Sequence, residues 1–86
     1  MAGNPRRKKM IGRILLVQEE RFRILSESGR SYLFGLAHNA SVASEDIVHW
    51  HNINAHVIVE YEGEPNLEDG IAHSVKPFRT RRTAAA

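Results

Sequence analysis

The chain contains no cysteine among its 86 residues. This absence excludes disulfide bonds, zinc sites built from thiolates and catalysis by a thiol nucleophile. It also fits a reducing compartment. A domain of this length buries only roughly 60% of its unfolded surface, so we expect a single domain with a small apolar core.

Long apolar runs are also missing, since no segment approaches the ~18 apolar residues that a membrane span needs. The N-terminal segment carries the positive charge of a signal peptide. It is followed by Ile11, Gly12 and Arg13 instead of an apolar stretch and a small-residue cleavage site. We therefore expect a cytoplasmic protein with no membrane partner.

Catalytic motifs are absent as well. None of the serines lies in the sequence context of a nucleophile elbow, and no glycine-rich loop has the spacing of a phosphate-binding loop. A domain this small also has little room for a pocket that excludes water. We predict that the protein is not an enzyme and holds no cofactor.

Histidine is abundant, with five residues, and His49, His51 and His56 lie close together in the sequence. A zinc or nickel site needs three or four ligands at about 2 Å from the ion. On a helix, His49 and His51 point roughly 200° apart and do not face one ion. The acidic segment 62–70 lacks the pattern of an EF-hand loop, so we interpret it as a solvated loop and predict no metal site.

Charge is distributed unevenly along the chain. The segment from Met10 to Val75 holds all ten acidic residues and only four arginines, a net charge of −6. The pI near 9.4 therefore describes the ends of the chain. We predict a flexible basic arm over residues 1–9, a barrel domain over 10–76 and a flexible basic tail over 77–86. The basic residues of the ends are Arg6, Arg7, Lys8, Lys9, Lys76, Arg79, Arg81 and Arg82.

The clearest structural signal is a β-hairpin between Arg21 and Leu36. Apolar and polar residues alternate on both sides of a Ser-Glu-Ser-Gly segment, as they do in two strands joined by a tight turn. Gly29 supplies the turn. The residues predicted to point inward are Phe22, Ile24, Phe34 and Leu36, and Trp50 and Tyr61 are predicted to join them in the core.

Three further strands are predicted, over 11–17, 55–61 and 71–75. Gly12 in the first of them indicates a bend or a bulge. Ser44 followed by Glu45 and Asp46 predicts the start of a short helix, because a serine caps free N–H groups and acids oppose the helix dipole. We expect this helix to end by residues 52–54.

The predicted order is three strands, a short helix and two strands. Five short strands in so small a chain close on themselves to protect their edges, and a helix between strands three and four is the arrangement of the OB-fold. We therefore predict an all-β, five-stranded OB-type barrel. An SH3-like barrel is the competing fold.

Several short motifs carry a family resemblance. Their order along Ile11 to Val75 resembles that of small S1-type OB domains and of the bacterial translation initiation factor one family. The resemblance implies an OB barrel with an RNA-binding face of basic and aromatic residues. This chain departs from the family in its acidic body. The matching residues are Gly12-Arg13-Ile14, Phe22-Arg23-Ile24, Gly29 and Val57-x-Val59-Glu60.

The candidate binding residues of the barrel are Arg13, Arg21, Arg23, Arg30 and Tyr32, on the first three strands. OB domains that hold single strands use a basic groove for the phosphates and aromatic side chains for stacking. The alternative is that these arginines are solvated strand positions balanced by nearby glutamates, and that the tyrosine fills the barrel.

The basic ends add Lys8, Lys9 and Arg79 as candidate phosphate contacts without sequence readout. They are equally compatible with solubilising ends, or with segments that fold back and screen the acidic body. Two functions follow as hypotheses. The first is a module that binds single-stranded DNA or RNA weakly. The second is a protein-interaction or accessory-subunit module that docks through its acidic face or an exposed strand edge.

Overall fold

The computed structural model describes residues 7–67 and 70–78. Within them the chain forms a closed barrel with strand order β1-β2-β3-β5-β4, in which only the short β3–β5 pair is parallel. This confirms the predicted five-stranded barrel with a helix between the third and fourth strands. The elements are β1 (Lys8–Gln18), β2 (Arg21–Ser26), β3 (Ser31–Leu36), α1 (Ser44–Asn52), β4 (His56–Glu62) and β5 (Ile71–Pro77).

Strand β1 is long enough to pair with two strands, β4 and β2, along different parts of its length. Its first half pairs with β4 and its second half with β2, and the two halves overlap at Gly12 and Arg13. A Cβ atom at Gly12 would collide with the main-chain carbonyl of Leu25. Glycine is therefore required where the strand passes closest to β2. The bulge itself lies further along, between Ile14 and Leu16.

The ends of the barrel lie slightly outside the predicted 10–76 range. Strand β1 begins at Lys8, which pairs with Tyr61, and β5 continues to Pro77, which pairs with Val57. Proline is tolerated at this position because it ends the strand. The two lysines at 8 and 9 thus belong to a paired strand instead of the arm.

The apolar core fills the barrel from end to end. Phe34 lies at its centre, with its ring centroid 5.8 Å from that of Phe22 and 4.8 Å from that of Tyr61. The predicted core positions Phe22, Ile24, Phe34 and Tyr61 are confirmed. The two other predicted positions, Leu36 and Trp50, are half-buried and pack against the core. The fully or nearly fully buried apolar residues are Ile14, Phe22, Ile24, Phe34, Ile47, Val57, Val59, Tyr61, Ala72 and Val75.

The hairpin turn has the predicted geometry. Gly29 adopts φ +91°, and the Ser26 N–H donates to the Arg30 carbonyl at 2.8 Å. Since a positive φ is strained for residues with a side chain, glycine fixes the turn and, with it, the register of β2 against β3.

Helix α1 closes one end of the barrel with Ile47, which is 1% exposed. Ala43 occupies the N-cap position, so the prediction of a serine cap at Ser44 is wrong. Asp46, at position N3, makes the reciprocal hydrogen bond of a capping box, since its carboxylate accepts from the Ala43 N–H at 3.3 Å. The helix ends at Asn52, as predicted, and Asn54 adopts φ +57°.

Candidate functional site

The outer surface of β1, β2 and β3 carries three arginines on one continuous sheet. We call this surface the arginine face. Alternation along β2 places Phe22 and Ile24 in the core and therefore places Arg21 and Arg23 outside. Across β1, β2 and β3, the rows of the arginine face are Arg13–Leu25–Ser31, Leu16–Arg23–Leu33 and Gln18–Arg21–Gly35.

The bulge in β1 determines which residues join this face. Arg13 and Leu16 are three residues apart, so in a regular strand they would point to opposite sides of the sheet. Leu15, the extra residue of the bulge, shifts the alternation of β1 by one position. Arg13 and Leu16 therefore both pair with outward-facing residues of β2. Leu16 is 47% exposed and Leu15, within the bulge, is 42% exposed.

The guanidinium groups of Arg13 and Arg23 have hydrogen-bond partners, but those of the arginine face form no ion pair with the acids that the structure describes. Arg13 donates from Nη1 to Asn54 Oδ1 and Arg23 donates from Nη1 to Ser31 Oγ, each over a long 3.4 Å. In residues 7–67 and 70–78, no ion pair joins Arg13, Arg21 or Arg23 to an acid. Each guanidinium has five N–H donors, so most of the donors on this face remain available to an anion.

The remaining candidate residues lie elsewhere. Arg30 is exposed at the end of the hairpin turn, outside the rows. Tyr32 lies on the inner side of β3 and packs half-buried against the core, which places it on the opposite side of the sheet from the arginine face. Lys8 and Lys9 begin β1, and Lys9 is separated from Arg13 by roughly 14 Å of strand. Arg79 lies outside the described residues.

Leucines, not aromatic rings, are the apolar members of the arginine face. The rows contain Leu16, Leu25 and Leu33 beside the arginines, and Leu67 of the β4–β5 loop is 62% exposed. Alternation along β2 and β3 indicates that Leu25 and Leu33 point outward. The outward position of Leu16 depends on the bulge, for which Gly12 is the nearest signal.

The β4–β5 loop occupies the free edge of β3. Asn66 accepts a hydrogen bond from the Leu33 N–H through Oδ1, and its own N–H donates to the Leu33 carbonyl, both at 2.8 Å. Asn66 adopts φ +75° to make both bonds. The asparagine thus replaces a neighbouring strand at Leu33, and this part of the edge is not open for pairing with another chain.

The start of β1 lies against acidic residues of β4. Arg7 Nε is 3.7 Å from Glu62 Oε2, and Lys9 pairs across the strands with Glu60. Glu62 Oε1 is also 3.5 Å from His73 Nε2. Arg7 and Lys9 therefore lie beside acids of β4.

The histidines do not form a metal site within the described part of the chain, where no three His, Asp or Glu side chains converge on a point suited to a cation. His49 and His56 are exposed. His51 is half-buried, and its Nδ1 donates to the Ile14 carbonyl at 2.8 Å. Its role in the structure is to join α1 to β1.

The phenol of Tyr61 has a perturbed pKa. Burial raises the pKa of the Tyr61 phenol above its ordinary value, and the neighbouring Tyr32 and Glu64 add to the effect. Tyr61 is 7% exposed and packs against Phe34. Its phenol is consequently neutral at physiological pH and belongs to the core.

Comparisons with protein-family models, with curated proteins and with solved structures return no match. No helix in residues 7–67 or 70–78 is long and apolar enough to cross a membrane. The candidate site therefore has to be interpreted from its own geometry.

Proposed function

We propose that the barrel binds single-stranded nucleic acid, DNA or RNA, through the arginine face. The observation that carries the proposal is the grouping of Arg13, Arg21 and Arg23 on one sheet surface without an ion pair to any described acid. Guanidinium groups suit phosphate oxygens because their donors form a planar fork. The phosphate backbone of a nucleic acid is a polyanion that can contact several such groups at once.

The position of the arginine face supports this proposal. OB-fold proteins bind oligonucleotides on the surface of strands two and three and on the adjoining loops between strands one and two and between strands four and five. Arg21 and Arg23 lie on that surface, and Leu67 lies in the second loop. The resemblance to S1-type domains points in the same direction.

The chemistry of the face predicts weak, salt-dependent binding. Between Met10 and Val75 the net charge is −6, which repels a polyanion everywhere except at the arginines. Leucines offer apolar contact to bases but not the aromatic stacking that strengthens other single-strand binders. Phosphate contacts therefore supply most of the affinity.

The C-terminal basic segment can extend the arginine face. The Phe78 N–H donates to the His56 carbonyl at 2.7 Å, and His56 pairs with Arg13 across β4 and β1. Phe78, the residue before Arg79 in the sequence, is thus separated from Arg13 by the width of β4. We propose Arg79 as a further phosphate contact, and Lys8 and Lys9 as weaker contributors because the start of β1 lies beside acids.

A protein-docking module is the second candidate. The exposure of Leu15, Leu16 and Leu67 favours it, because apolar side chains beside arginines also suit an acidic partner segment with apolar residues. An exposed strand edge is a weaker route to such docking, since Asn66 occupies the edge of β3 at Leu33.

A salt titration tests the proposal. The affinity for a labelled oligothymidylate is measured by fluorescence anisotropy at several salt concentrations from about 50 mM to about 200 mM, for the wild type and for the double variant Arg21→Gln/Arg23→Gln. We expect the double variant to bind more weakly, with the slope of log affinity against log salt reduced by about 0.7 for each phosphate that it no longer neutralises.

Lys76→Gln is the matched control, because it removes an exposed positive charge on β5, outside the rows of the arginine face. We expect it to change affinity far less than the double variant. Equal losses of binding free energy for each charge removed, so that Lys76→Gln loses half as much as the double variant, would show that only the total charge matters. Absence of binding at low salt would refute the proposal and favour protein docking.

A further inference from the structure

A small cleft lies at the Arg21 end of the arginine face. Its volume is about 160 Å³. It forms where β3 meets β5 in the barrel, at the pairing of Gly35 with Ile71. The outward-facing and loop residues that line it are Glu20, Arg21, Leu33, Gly35, Leu67 and Ile71.

The absence of a side chain at Gly35 creates the cleft. Gly35 occupies an outward position of β3, between Arg21 on β2 and Ile71 on β5. A Cβ atom there would meet only the Ile71 Cδ1 atom at 3.4 Å and the Gly70 carbonyl at 4.0 Å, so the backbone itself tolerates a side chain. Glycine at this position therefore keeps the floor of the cleft open without being needed for the strand.

The apolar part of the cleft wall is held in place by main-chain hydrogen bonds. Leu33 forms one side, and its main chain is bonded twice to Asn66, which positions the adjacent Leu67. The Gly35 N–H donates to the Gly70 carbonyl at 2.9 Å, which fixes the other end of the loop over the sheet. The cleft is thus built by the fold and not by a chance arrangement of long side chains.

We propose that this cleft receives one unstacked nucleobase of the bound strand, an inference that rests on the proposed function. A planar base fits over the flat backbone of Gly35, with aliphatic contacts from Leu33 and Ile71. Arg21 lies directly across from Gly35, so the same nucleotide offers it a phosphate or a base acceptor. The Glu20 carboxylate can accept from a base N–H.

Charge complementarity favours a nucleobase over an apolar side chain of a protein partner. A leucine inserted into the cleft would satisfy its walls but would give Arg21 no anion. A nucleotide supplies both an apolar ring and a phosphate in one covalent unit. The cleft would then hold a base that is unpaired, and the protein would prefer single strands to duplexes.

Strands with and without bases separate this inference from simple phosphate binding. A labelled oligothymidylate is compared by fluorescence anisotropy with a strand of the same length and charge in which the bases are replaced by abasic sites. We expect the wild type to bind the oligothymidylate about fivefold more tightly, which is the low end of what stacking one base on an aromatic ring contributes, because the contacts in the cleft are aliphatic. Gly35→Leu, which fills the cleft, should abolish this preference, so that the variant binds the two strands equally.

Gly35→Ala is the matched control, since one methyl group fits beside Ile71 and should preserve most of the preference. Equal wild-type binding of both strands, or a preserved preference in Gly35→Leu, overturns the base cleft while the phosphate contacts stand. Absence of binding to either strand overturns the proposed function as well.

A second measurement keeps the inference testable if Gly35→Leu fails to fold. The methyl resonances of Leu67 and Ile71 are followed by NMR while oligothymidylate is added to the wild type. We expect both to shift upfield, because a base in the cleft places its ring current over them. Leu67→Ala, at an exposed position, should weaken binding of oligothymidylate only, and unmoved methyl resonances would contradict the inference.

Discussion

His51 donates a hydrogen bond from Nδ1 to the main-chain carbonyl of Ile14 at 2.8 Å. Ile14 is the last regularly paired residue of β1 before the bulge. The bond therefore satisfies a half-buried carbonyl where the strand ladder is interrupted, and it fixes α1 over the end of the barrel. The bulge also orients Leu16, so this hydrogen bond stabilises the part of β1 that contributes Leu16 to the arginine face.

Replacing His51 should lower the stability of the fold. In His51→Ala the Ile14 carbonyl is left without its partner, and we expect the free energy of unfolding to fall by about 1 kcal/mol. His49→Ala, on an exposed position of the same helix, is the control and should change the stability by less than about 0.5 kcal/mol. Urea denaturation followed by Trp50 fluorescence measures both, and equal effects would argue against the bond.

The two strand glycines should respond differently to alanine. Gly12→Ala places a methyl group against the Leu25 carbonyl, and we expect the free energy of unfolding to fall by about 2 kcal/mol from the strain of overpacking. Gly35→Ala meets only the tip of Ile71 and should be nearly neutral. Chemical denaturation of the two variants checks this difference, and a tolerated Gly12→Ala would contradict the close approach of β1 and β2.

The stability of the barrel should decline at alkaline pH because of Tyr61. Its pKa is raised in the folded protein, mainly by burial, so the folded state favours the neutral phenol. The contribution to stability is complete below about pH 10, the ordinary pKa of tyrosine, and is lost as the pH rises through the higher folded pKa. Tyr61→Phe keeps the ring contact with Phe34 and should remove this part of the decline.

The check is a series of urea denaturations at increasing pH for the wild type and Tyr61→Phe. Above about pH 10 the free energy of unfolding of the wild type should fall more steeply with pH than that of Tyr61→Phe. Parallel curves over that range would show that burial of Tyr61 does not influence its ionisation.

Removal of residues 79–86 should weaken nucleic-acid binding, because this segment contains three arginines. We expect a smaller salt slope, by about 0.7 for each phosphate that the shortened chain no longer neutralises. The double variant Lys8→Gln/Lys9→Gln is the comparison and should have a weaker effect. A larger effect of Lys8→Gln/Lys9→Gln than of the truncation would place the nucleic acid near the start of β1 instead.

The hairpin, the helix bounds and most of the core could be predicted from the sequence, because each depends on local alternation or on a residue with a special backbone preference. Phe22 and Ile24 alternate with arginines, and Gly29 supplies a positive φ. The same alternation places Tyr32 with Phe34, inside the barrel.

Features that depend on contacts between distant segments could not be predicted. The bulge after Ile14 reverses the alternation of β1 and exposes Leu16, and no local pattern indicates the reversal. Asn66 resembles an ordinary loop residue, and its two bonds to Leu33 form only when the loop is placed over β3. Closure of the barrel could be predicted, but the cleft at Gly35 depends on where β3 meets β5, which no local pattern indicates.

The central claim is that the arginine face contacts the phosphates of a single strand, and an NMR titration of the full chain with oligothymidylate at low salt tests it most directly. The account predicts that the Nε–Hε resonances of Arg13, Arg21 and Arg23 and the amides of their rows shift together and return as salt is added. Shifts confined to the terminal segments, with the three arginines unmoved, would contradict it.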